Sequence, residues 1–208
     1  MSTPATTIVL VRHGHVEGIT PPRFRGRVEL PLTPLGERQA HALRNRIAAE
    51  WQPDAVYSSP MGRCLSTAAI LAQPFGLTVE PIPDLNDFDY GTWQGLEKDE
   101  VHRRWPEEYA RWQRIPHLVS MPQGESLNII SARARRALHD ILHRHRGETI
   151  IVTSHDSINR VLLLHALDLP LQRYRSIQQA PCTLNVLQHG GGSLQVRTFN
   201  ETGHLIGL

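Results

Sequence analysis

The sequence predicts an α/β protein, a three-layer α/β/α sandwich around a mostly parallel central sheet. Strand-like apolar segments alternate along the chain with amphipathic helical segments. Two strand-like segments, residues 7–11 and 149–153, are apolar on both faces, which is typical of central strands in a parallel sheet. The 208 residues suit one domain, predicted to span 1–208, in which residues 84–123 form a partial cover over the ligand site expected at the carboxyl ends of the strands.

The first half of the chain contains five predicted elements. Thr33 followed by Pro34 is typical of a helix start, because threonine accepts a backbone hydrogen bond and proline suits the first helical position. The predicted elements are, in chain order, a strand at 7–11, a helix at 33–47, a strand at 55–58, a helix at 59–71 and a strand at 77–79.

The second half begins with a turn-rich segment, residues 81–95. The helical pattern that follows at 97–113 must break at Pro106, since proline lacks the amide hydrogen that a helix interior needs. Residues 126–145 carry apolar side chains at the spacing of one helix face. The remaining predicted elements are a strand at 149–153, a helix at 158–167 and a hairpin formed by 183–188 and 193–199.

Charge and composition exclude several classes of function. Lys+Arg is 22 and Asp+Glu is 20, a formal charge of +2 that argues against nucleic-acid binding. Cys64 and Cys182 lie far apart without a CxxC pattern, so neither a zinc site nor a disulfide framework is predicted. No apolar run is long enough for a signal peptide or a membrane span, and a cytoplasmic location is expected. A homodimer through residues 77–79 or the terminal hairpin stays open.

Two of the most apolar strands each end in a histidine. His13 follows residues 7–11, and His155 follows residues 149–153. If these strands are parallel neighbours, both imidazoles emerge at the same edge of the sheet, where ligand sites form. Arg12 and Arg63 would join them there, because Arg63 follows the third strand. Arginines that hold phosphate oxygens beside an imidazole nucleophile suit phosphoryl transfer.

These residues resemble a known family, the histidine phosphatase superfamily that includes cofactor-dependent phosphoglycerate mutases. The resemblance covers most of the chain, with its motifs in the family's order. The motifs are Arg12-His13-Gly14, residues 24–33 with Gly36 and Gln39-Ala40, residues 58–63 with Thr67-Ala68, Leu85-Asn86-Asp87 with Tyr90-Gly91 and Trp93-Gln94-Gly95, Gly124-Glu125-Ser126, and residues 152–155.

The resemblance implies a role for each site residue and no metal or other cofactor. His13 would be the nucleophile, and Asp87 would be the general acid, with Asp89 as the open alternative. Three residues would bind the phosphoryl group: Arg12, Arg63 and His155. Three further candidates for substrate contacts are Arg25, Gly26 and His15. Ile19 stands where the family often has Asn and cannot donate a hydrogen bond to phosphate.

The implied function is metal-independent hydrolysis of a small phosphorylated metabolite through phosphohistidine. One alternative is a cofactor-dependent phosphoglycerate mutase, although mutases of this family are usually longer than 208 residues. The other alternative is a catalytically weak module that recognises phosphate. Two further clusters are expected to be solvated helix faces: Arg133, Arg135 and Arg136, and His139, His143 and His145.

Overall fold

A six-stranded sheet flanked by helices forms the centre of the computed structural model, which describes residues 4–19 and 21–208. The strands are β1 (Thr6–Arg12), β2 (Ala55–Ser58), β3 (Val79–Pro81), β4 (Thr149–Ser154), β5 (Leu184–Gly190) and β6 (Ser193–Glu201). The helices are α1 (Pro34–Ala48), α2 (Gly62–Ala72), α3 (Lys98–Arg104), α4 (Pro106–Arg114), α5 (Leu127–Arg144) and α6 (Asp156–Ala166). None of the helices in the described ranges is long and apolar enough to cross a membrane.

The strand order explains how distant parts of the chain reach one edge of the sheet. The order is β3-β2-β4-β1-β5-β6. Strands β1 to β4 are mutually parallel, β5 is antiparallel to β1, and β6 is antiparallel to β5. Arg12 of β1 pairs with Ser154 of β4, and Ser58 of β2 pairs with Thr153 of β4. The predicted mostly parallel sheet is confirmed, and the carboxyl ends of β1, β2 and β4 are level.

Alternate residues of the central strands build two separate cores. Ile8 and Leu10 of β1 pack with α5 and α6 on one face of the sheet. Val9 and Val11 pack with α1 and α2 on the opposite face. Full burial of each such side chain contributes about 1.5–3 kcal/mol. Helices on both faces confirm the predicted three-layer sandwich. Each central strand contributes to both cores, because successive side chains of a strand point to opposite layers.

Several predicted boundaries differ from the structure by two or three residues, and the two strands of the terminal hairpin each extend two residues further, to Gly190 and Glu201. Strand β3 occupies 79–81 rather than 77–79. The Leu77 amide donates to the carbonyl of Ala72, the last residue of α2 (3.5 Å), so residue 77 is still part of the turn that closes this helix. Helix α2 begins at Gly62, since the Ser59 amide bonds Thr153 (2.9 Å) and extends the sheet. Helix α6 begins at Asp156 rather than at 158, because the carbonyl of His155 accepts from the Asn159 amide (2.9 Å).

Other details follow the sequence more closely. The side chain of Thr33 accepts from the Gly36 amide (3.1 Å), as an N-cap threonine should. The predicted break at Pro106 is confirmed, because α3 ends at Arg104 and α4 begins at Pro106. Cys64 and Cys182 are both buried and free, so no disulfide joins them.

A close approach between two backbone segments holds the loop that follows β1. The first turn of α1 packs on this loop at Gly36, where a Cβ would overlap the His15 carbonyl oxygen. A Cβ at Gly14 would likewise stand 2.5 Å from the Gly36 oxygen. Both neighbours are backbone atoms, so neither clash can be relieved by a side-chain rotation. These glycines let helix α1 lie directly against the residues that follow His13.

Gly36→Ala is therefore expected to destabilise the protein by about 1–3 kcal/mol, the usual cost of overpacking. Urea unfolding followed by circular dichroism would measure this. Gly62→Ala is the matched control, because Gly62 also lies in the first turn of a helix. A Cβ there meets only the flexible carboxylate end of Glu29, at 3.1 Å. Equal stability of the two variants would contradict the role assigned to this backbone contact.

Candidate active site

The two histidines that follow the apolar strands lie side by side. The amide of His13 donates to the Ser154 carbonyl (3.0 Å), which extends the pairing of β1 and β4 by one residue. The ring centroids of His13 and His155 are 5.3 Å apart in an edge-to-face arrangement. Both side chains are buried, with exposures of 2% and 0%. The parallel register thus brings together two residues separated by 142 positions, from 13 to 155.

The hydrogen bond of His13 fixes which ring nitrogen carries the proton. Nδ1 lies 2.7 Å from the carbonyl oxygen of Gly14. Because a carbonyl only accepts, Nδ1 must hold the hydrogen, and the lone pair is on Nε2. Burial lowers the pKa of His13 well below its ordinary value of 6.5, and His155, Arg12 and Arg63 lower it further. His13 is therefore neutral near pH 7, with a nucleophilic Nε2.

Two buried arginines converge on the histidines. The Arg63 guanidinium donates to the carbonyls of Val28 (2.9 Å) and Gly26 (2.7 Å) and to Oδ2 of Asp87 (2.9 Å). The Arg12 guanidinium donates to the Gln179 carbonyl (2.5 Å). Within residues 4–19 and 21–208, Nε of both arginines is buried without a hydrogen-bond partner. An unpaired buried donor on a charged group is costly, so these atoms are suited to an incoming anion.

His155 is positioned through both of its ring nitrogens. Its Nδ1 lies 3.2 Å from the Arg63 guanidinium and accepts from it, because arginine only donates. Nε2 then carries the hydrogen and donates to Oγ of Ser59 at 2.8 Å. Burial lowers the pKa of His155 well below 6.5, with further lowering by Arg63 and Arg12. A neutral His155 thereby holds Arg63 in place next to His13.

Asp87, rather than Asp89, faces this cluster. Its Oδ2 accepts from Arg63 and lies 3.5 Å from Nδ1 of His155, while its Oδ1 accepts from Oγ of Ser157 (2.5 Å). The side chain of Asp89 instead accepts from the Gly91 amide (2.9 Å) and lies 3.5 Å from the Arg27 guanidinium. Asp89 therefore stabilises a turn.

Four residues of the site were missed by the sequence prediction. Ser59 lies inside the predicted motif of residues 58–63 but was given no role, and Ser157 lies two residues after His155 without a pattern of its own. Gln179 is recognisable only from the fold, because it reaches Arg12 from a distant loop. The predicted solvated face was wrong for Arg133, which is buried and donates to both carboxylate oxygens of Glu125 and to the Asp87 carbonyl (2.9 Å). Arg133 holds the loop that carries Asp87.

A cavity of about 240 Å³ opens beside Arg12. Arg25 and Ile19 line it, as do Tyr90, Lys98 and Trp112 from the segment 84–123. His15 and Gly26, the other two candidates for substrate contacts, are not among the described residues that line this cavity. His15 bonds Oγ1 of Thr33 (2.9 Å), and Gly26 offers its carbonyl to Arg63.

The histidines on α5 lie apart from the site. His139 and His143 are exposed, with ring centroids 4.2 Å apart, whereas His145 is partly buried and bonds the Tyr57 hydroxyl at 2.8 Å. The predicted solvated face is thus confirmed for His139 and His143 and wrong for His145. Over the described ranges, no group of three or more His, Cys, Asp or Glu side chains has an arrangement that could hold a metal ion.

Known proteins share both the sequence pattern and the fold of this chain. The sequence model of the histidine phosphatase superfamily (branch 1) matches residues 8–202. Phosphoserine phosphatase 1 of Hydrogenobacter thermophilus is 29% identical over 198 residues, which cover 95% of this chain and 93% of that protein. The metal-independent phosphoserine phosphatase of Arabidopsis thaliana is 34% identical over 166 residues, covering 79% of this chain and 70% of its own.

A solved structure extends the similarity to three dimensions. YhfR of Bacillus stearothermophilus superimposes with a TM-score of 0.91 at 28% identity. The superposition covers 96% of this chain and 99% of the YhfR chain. The layers and the sheet order described above are therefore those of a phosphoglycerate mutase-like fold.

Acidification is expected to destabilise the protein through the two buried histidines. Below their ordinary pKa of 6.5 the unfolded chain takes up protons there, whereas the folded protein does not, because its pKa values are lowered. The contribution of the two neutral histidines to the free energy of unfolding is fully present above pH 6.5. It is lost as the pH falls, by up to about 1.4 kcal/mol per pH unit for each histidine.

Urea unfolding between about pH 7.5 and pH 5.5 would measure this dependence. We expect His155→Asn to make the loss of stability with falling pH shallower than in the wild type. His143→Asn, on the exposed face of α5, should leave the slope unchanged. A His155→Asn variant whose slope equals that of the wild type would contradict the neutral state assigned to His155.

Proposed function

This chain belongs to the histidine phosphatase superfamily and is a phosphatase that acts on a small phosphorylated metabolite, and we propose that its reaction passes through a phosphohistidine at His13. The observation that carries this proposal is the state of three groups at one edge of the sheet. His13 is neutral with its lone pair on Nε2, and Nε of both Arg12 and Arg63 is buried without a partner among the described residues. A phosphoryl group placed between them would satisfy both donors and face the nucleophile.

In the proposed first step, Nε2 of His13 attacks phosphorus, and the bond from phosphorus to the leaving oxygen breaks. Arg12 and Arg63 neutralise the charge on the phosphoryl oxygens, which is the main demand of a loose transition state. His155 borders the phosphoryl site and keeps Arg63 oriented. Asp87 donates a proton to the leaving oxygen, so the first product departs as a neutral alcohol.

The same groups complete the proposed second step. The Asp87 carboxylate takes a proton from water, whose oxygen attacks phosphorus as the bond to Nε2 breaks. Inorganic phosphate leaves, and His13 regains its lone pair while Nδ1 keeps its proton on the Gly14 carbonyl. In the substrate complex the phosphoryl group competes with Asp87 for the Arg63 guanidinium, which leaves the Asp87 carboxyl group free to face the leaving oxygen.

The names of the relatives indicate which substrate to test first. The Hydrogenobacter and Arabidopsis proteins are phosphoserine phosphatases, and the second is metal-independent. We therefore propose metal-independent turnover, with O-phosphoserine as the first candidate substrate. In this proposal the chain acts as one domain, with residues 84–123 as a partial cover that supplies part of the cavity wall. Two free buried cysteines suit a reducing, cytoplasmic setting.

Replacing the nucleophile should abolish turnover without any dependence on metal. We expect His13→Ala to lower the release of inorganic phosphate by about 10⁴-fold or more, as the loss of a covalent nucleophile usually does. The wild type should keep its activity in EDTA. His143→Ala is the matched control on the exposed face of α5 and should match the wild type. Activity in His13→Ala close to that of the wild type would refute the assignment.

Two neighbouring carboxylates provide a second test. Asp87→Asn is expected to lower kcat on an alkyl phosphate by about 10²- to 10⁴-fold, the usual contribution of general acid catalysis. With p-nitrophenyl phosphate, Asp87→Asn should slow the first chemical step less than it does with an alkyl phosphate. The reason is that p-nitrophenolate leaves without being protonated. Asp89→Asn should change kcat little, since Asp89 caps a turn. A larger loss in Asp89→Asn than in Asp87→Asn would reverse the assignment.

A further inference from the structure

The two arginines of the phosphoryl site are held in different ways. The Arg63 guanidinium has four acceptors, which are two carbonyls, the Asp87 carboxylate and Nδ1 of His155. The Arg12 guanidinium has one acceptor among the described residues, the carbonyl of Gln179. Because an arginine side chain has many rotamers, a single anchor decides where its guanidinium lies. The position of Arg12 therefore depends on what fixes the backbone at Gln179.

Gln179 belongs to a segment, residues 177–183, that contains neither helix nor strand. This segment contacts Arg12 a second time, because the Cys182 amide donates to the carbonyls of Arg12 (3.1 Å) and His13 (3.2 Å). Cys182 has a φ of 51°, in the left-handed region that is strained for any residue other than glycine. An irregular and strained segment beside a reacting group needs contacts that hold it in one conformation.

A buried cluster of side-chain amides provides those contacts. Nδ2 of Asn185, on β5, donates to Oε1 of Gln179 (2.8 Å), and Nε2 of Gln179 donates to Oδ1 of Asn185 (3.0 Å). Asn159 of α6 donates to the same Gln179 oxygen (3.3 Å). Gln179 is 4% exposed and both asparagines are 0% exposed. Burying amides is costly unless they are paired, and the reciprocal pairing of Asn185 with Gln179 offsets that cost.

Asn185 also ties this cluster to the strand that carries Arg12. Its Nδ2 donates to the carbonyl of Leu10, two residues before Arg12 on β1 (3.0 Å). Its Oδ1 accepts from the backbone amide of Asn200 on β6 (2.9 Å). The Asn200 side chain in turn accepts from the Ala180 amide (3.0 Å), within the segment 177–183. One side chain thus links β1 directly to the segment that anchors the Arg12 guanidinium.

We propose that Asn185 is a positioning residue for the reaction, because through Gln179 it holds the Arg12 guanidinium at the phosphoryl site. Neither Asn185 nor Gln179 is among the described residues that line the cavity beside Arg12, so both act on the substrate only through Arg12. Apolar side chains would fill the same space, whereas a fully paired polar network also specifies one conformation of the segment. The inference rests on the proposed function, in which Arg12 binds the phosphoryl group.

A double-mutant cycle tests whether Asn185 acts through Arg12. The variants are Asn185→Ala, Arg12→Ala and the two combined. The measured quantity is kcat/KM with p-nitrophenyl phosphate, whose leaving group needs no proton. We expect Asn185→Ala alone to lower kcat/KM by about tenfold to a hundredfold, because a small displacement of a positioned group costs that much. In the Arg12→Ala background the same change should have little effect, since the group that it displaces is already absent.

Leu187→Ala controls for the loss of stability that a cavity in the core causes. Leu187 lies two residues after Asn185 on β5, is fully buried and packs in the core that includes α5 and α6. Its truncation removes more apolar volume, and urea unfolding would show the destabilisation. We nevertheless expect kcat/KM close to that of the wild type. Gln179→Met, which keeps the backbone carbonyl and removes the side-chain amide, replaces Asn185→Ala in the cycle if that variant does not fold.

The outcomes separate this inference from the proposed function. The same fold-loss in both backgrounds, or no loss from Asn185→Ala alone, would overturn the positioning role and leave phosphohistidine chemistry intact. Survival of turnover in His13→Ala would overturn the proposed mechanism, while the cycle would still report the coupling of Asn185 to Arg12.

Calorimetric titration with inorganic phosphate repeats the cycle without turnover. We expect Asn185→Ala to bind phosphate more weakly than the wild type and Leu187→Ala to bind it equally well. Equal affinity of Asn185→Ala and the wild type would overturn the positioning role. A wild type that neither hydrolyses p-nitrophenyl phosphate nor binds phosphate would overturn both this inference and the proposed function.

Discussion

The parallel pairing of β1 with β4 is the constraint on which the rest of the site depends. Arg12 is level with Ser154, so the next residue of one strand and the next residue of the other are the two buried histidines. The Ser58–Thr153 pairing adds β2 on the other side of β4 and brings Ser59 and the start of α2 to the same edge. A slip of one residue would turn every apolar side chain of a strand to the wrong layer, so the two cores also fix the register of the site.

Burial gives these residues properties that they would lack in water. It keeps His13 and His155 neutral, and it leaves Nε of Arg12 and of Arg63 without a hydrogen-bond partner among the described residues. Burying charged donors without partners costs stability, but it leaves the site able to bind a phosphate. A site already neutralised by carboxylates would not attract one. Among the residues that the structure describes, Asp87 is the one carboxylate bonded to Arg63, and the proposed mechanism uses it to move a proton.

The sequence predicted the sandwich and the apolar strands, because these depend on local patterns that repeat at fixed periods. It also predicted that His13, His155 and Arg63 would meet at one edge of the sheet, because each follows the end of a strand. It missed what depends on distant contacts. Arg133 looks like a solvated helix residue until the fold places the Asp87 loop and Glu125 around it. The turn at Gly76, where φ is positive, shifts the start of β3 two residues beyond the predicted position. The pattern of apolar residues does not indicate this turn. The choice between Asp87 and Asp89 likewise needs the position of Arg63, which only the assembled sheet supplies.

The most direct test of the central claim is to trap the covalent intermediate in Asp87→Asn with p-nitrophenyl phosphate. This ester needs no general acid, whereas hydrolysis of the intermediate needs the Asp87 carboxylate as a base, so the phosphoryl enzyme should accumulate. After an alkaline quench, peptide mapping by mass spectrometry is expected to find the phosphoryl group on a nitrogen of His13. Steady release of p-nitrophenol with the phosphoryl group on another residue, or on none, would contradict the account.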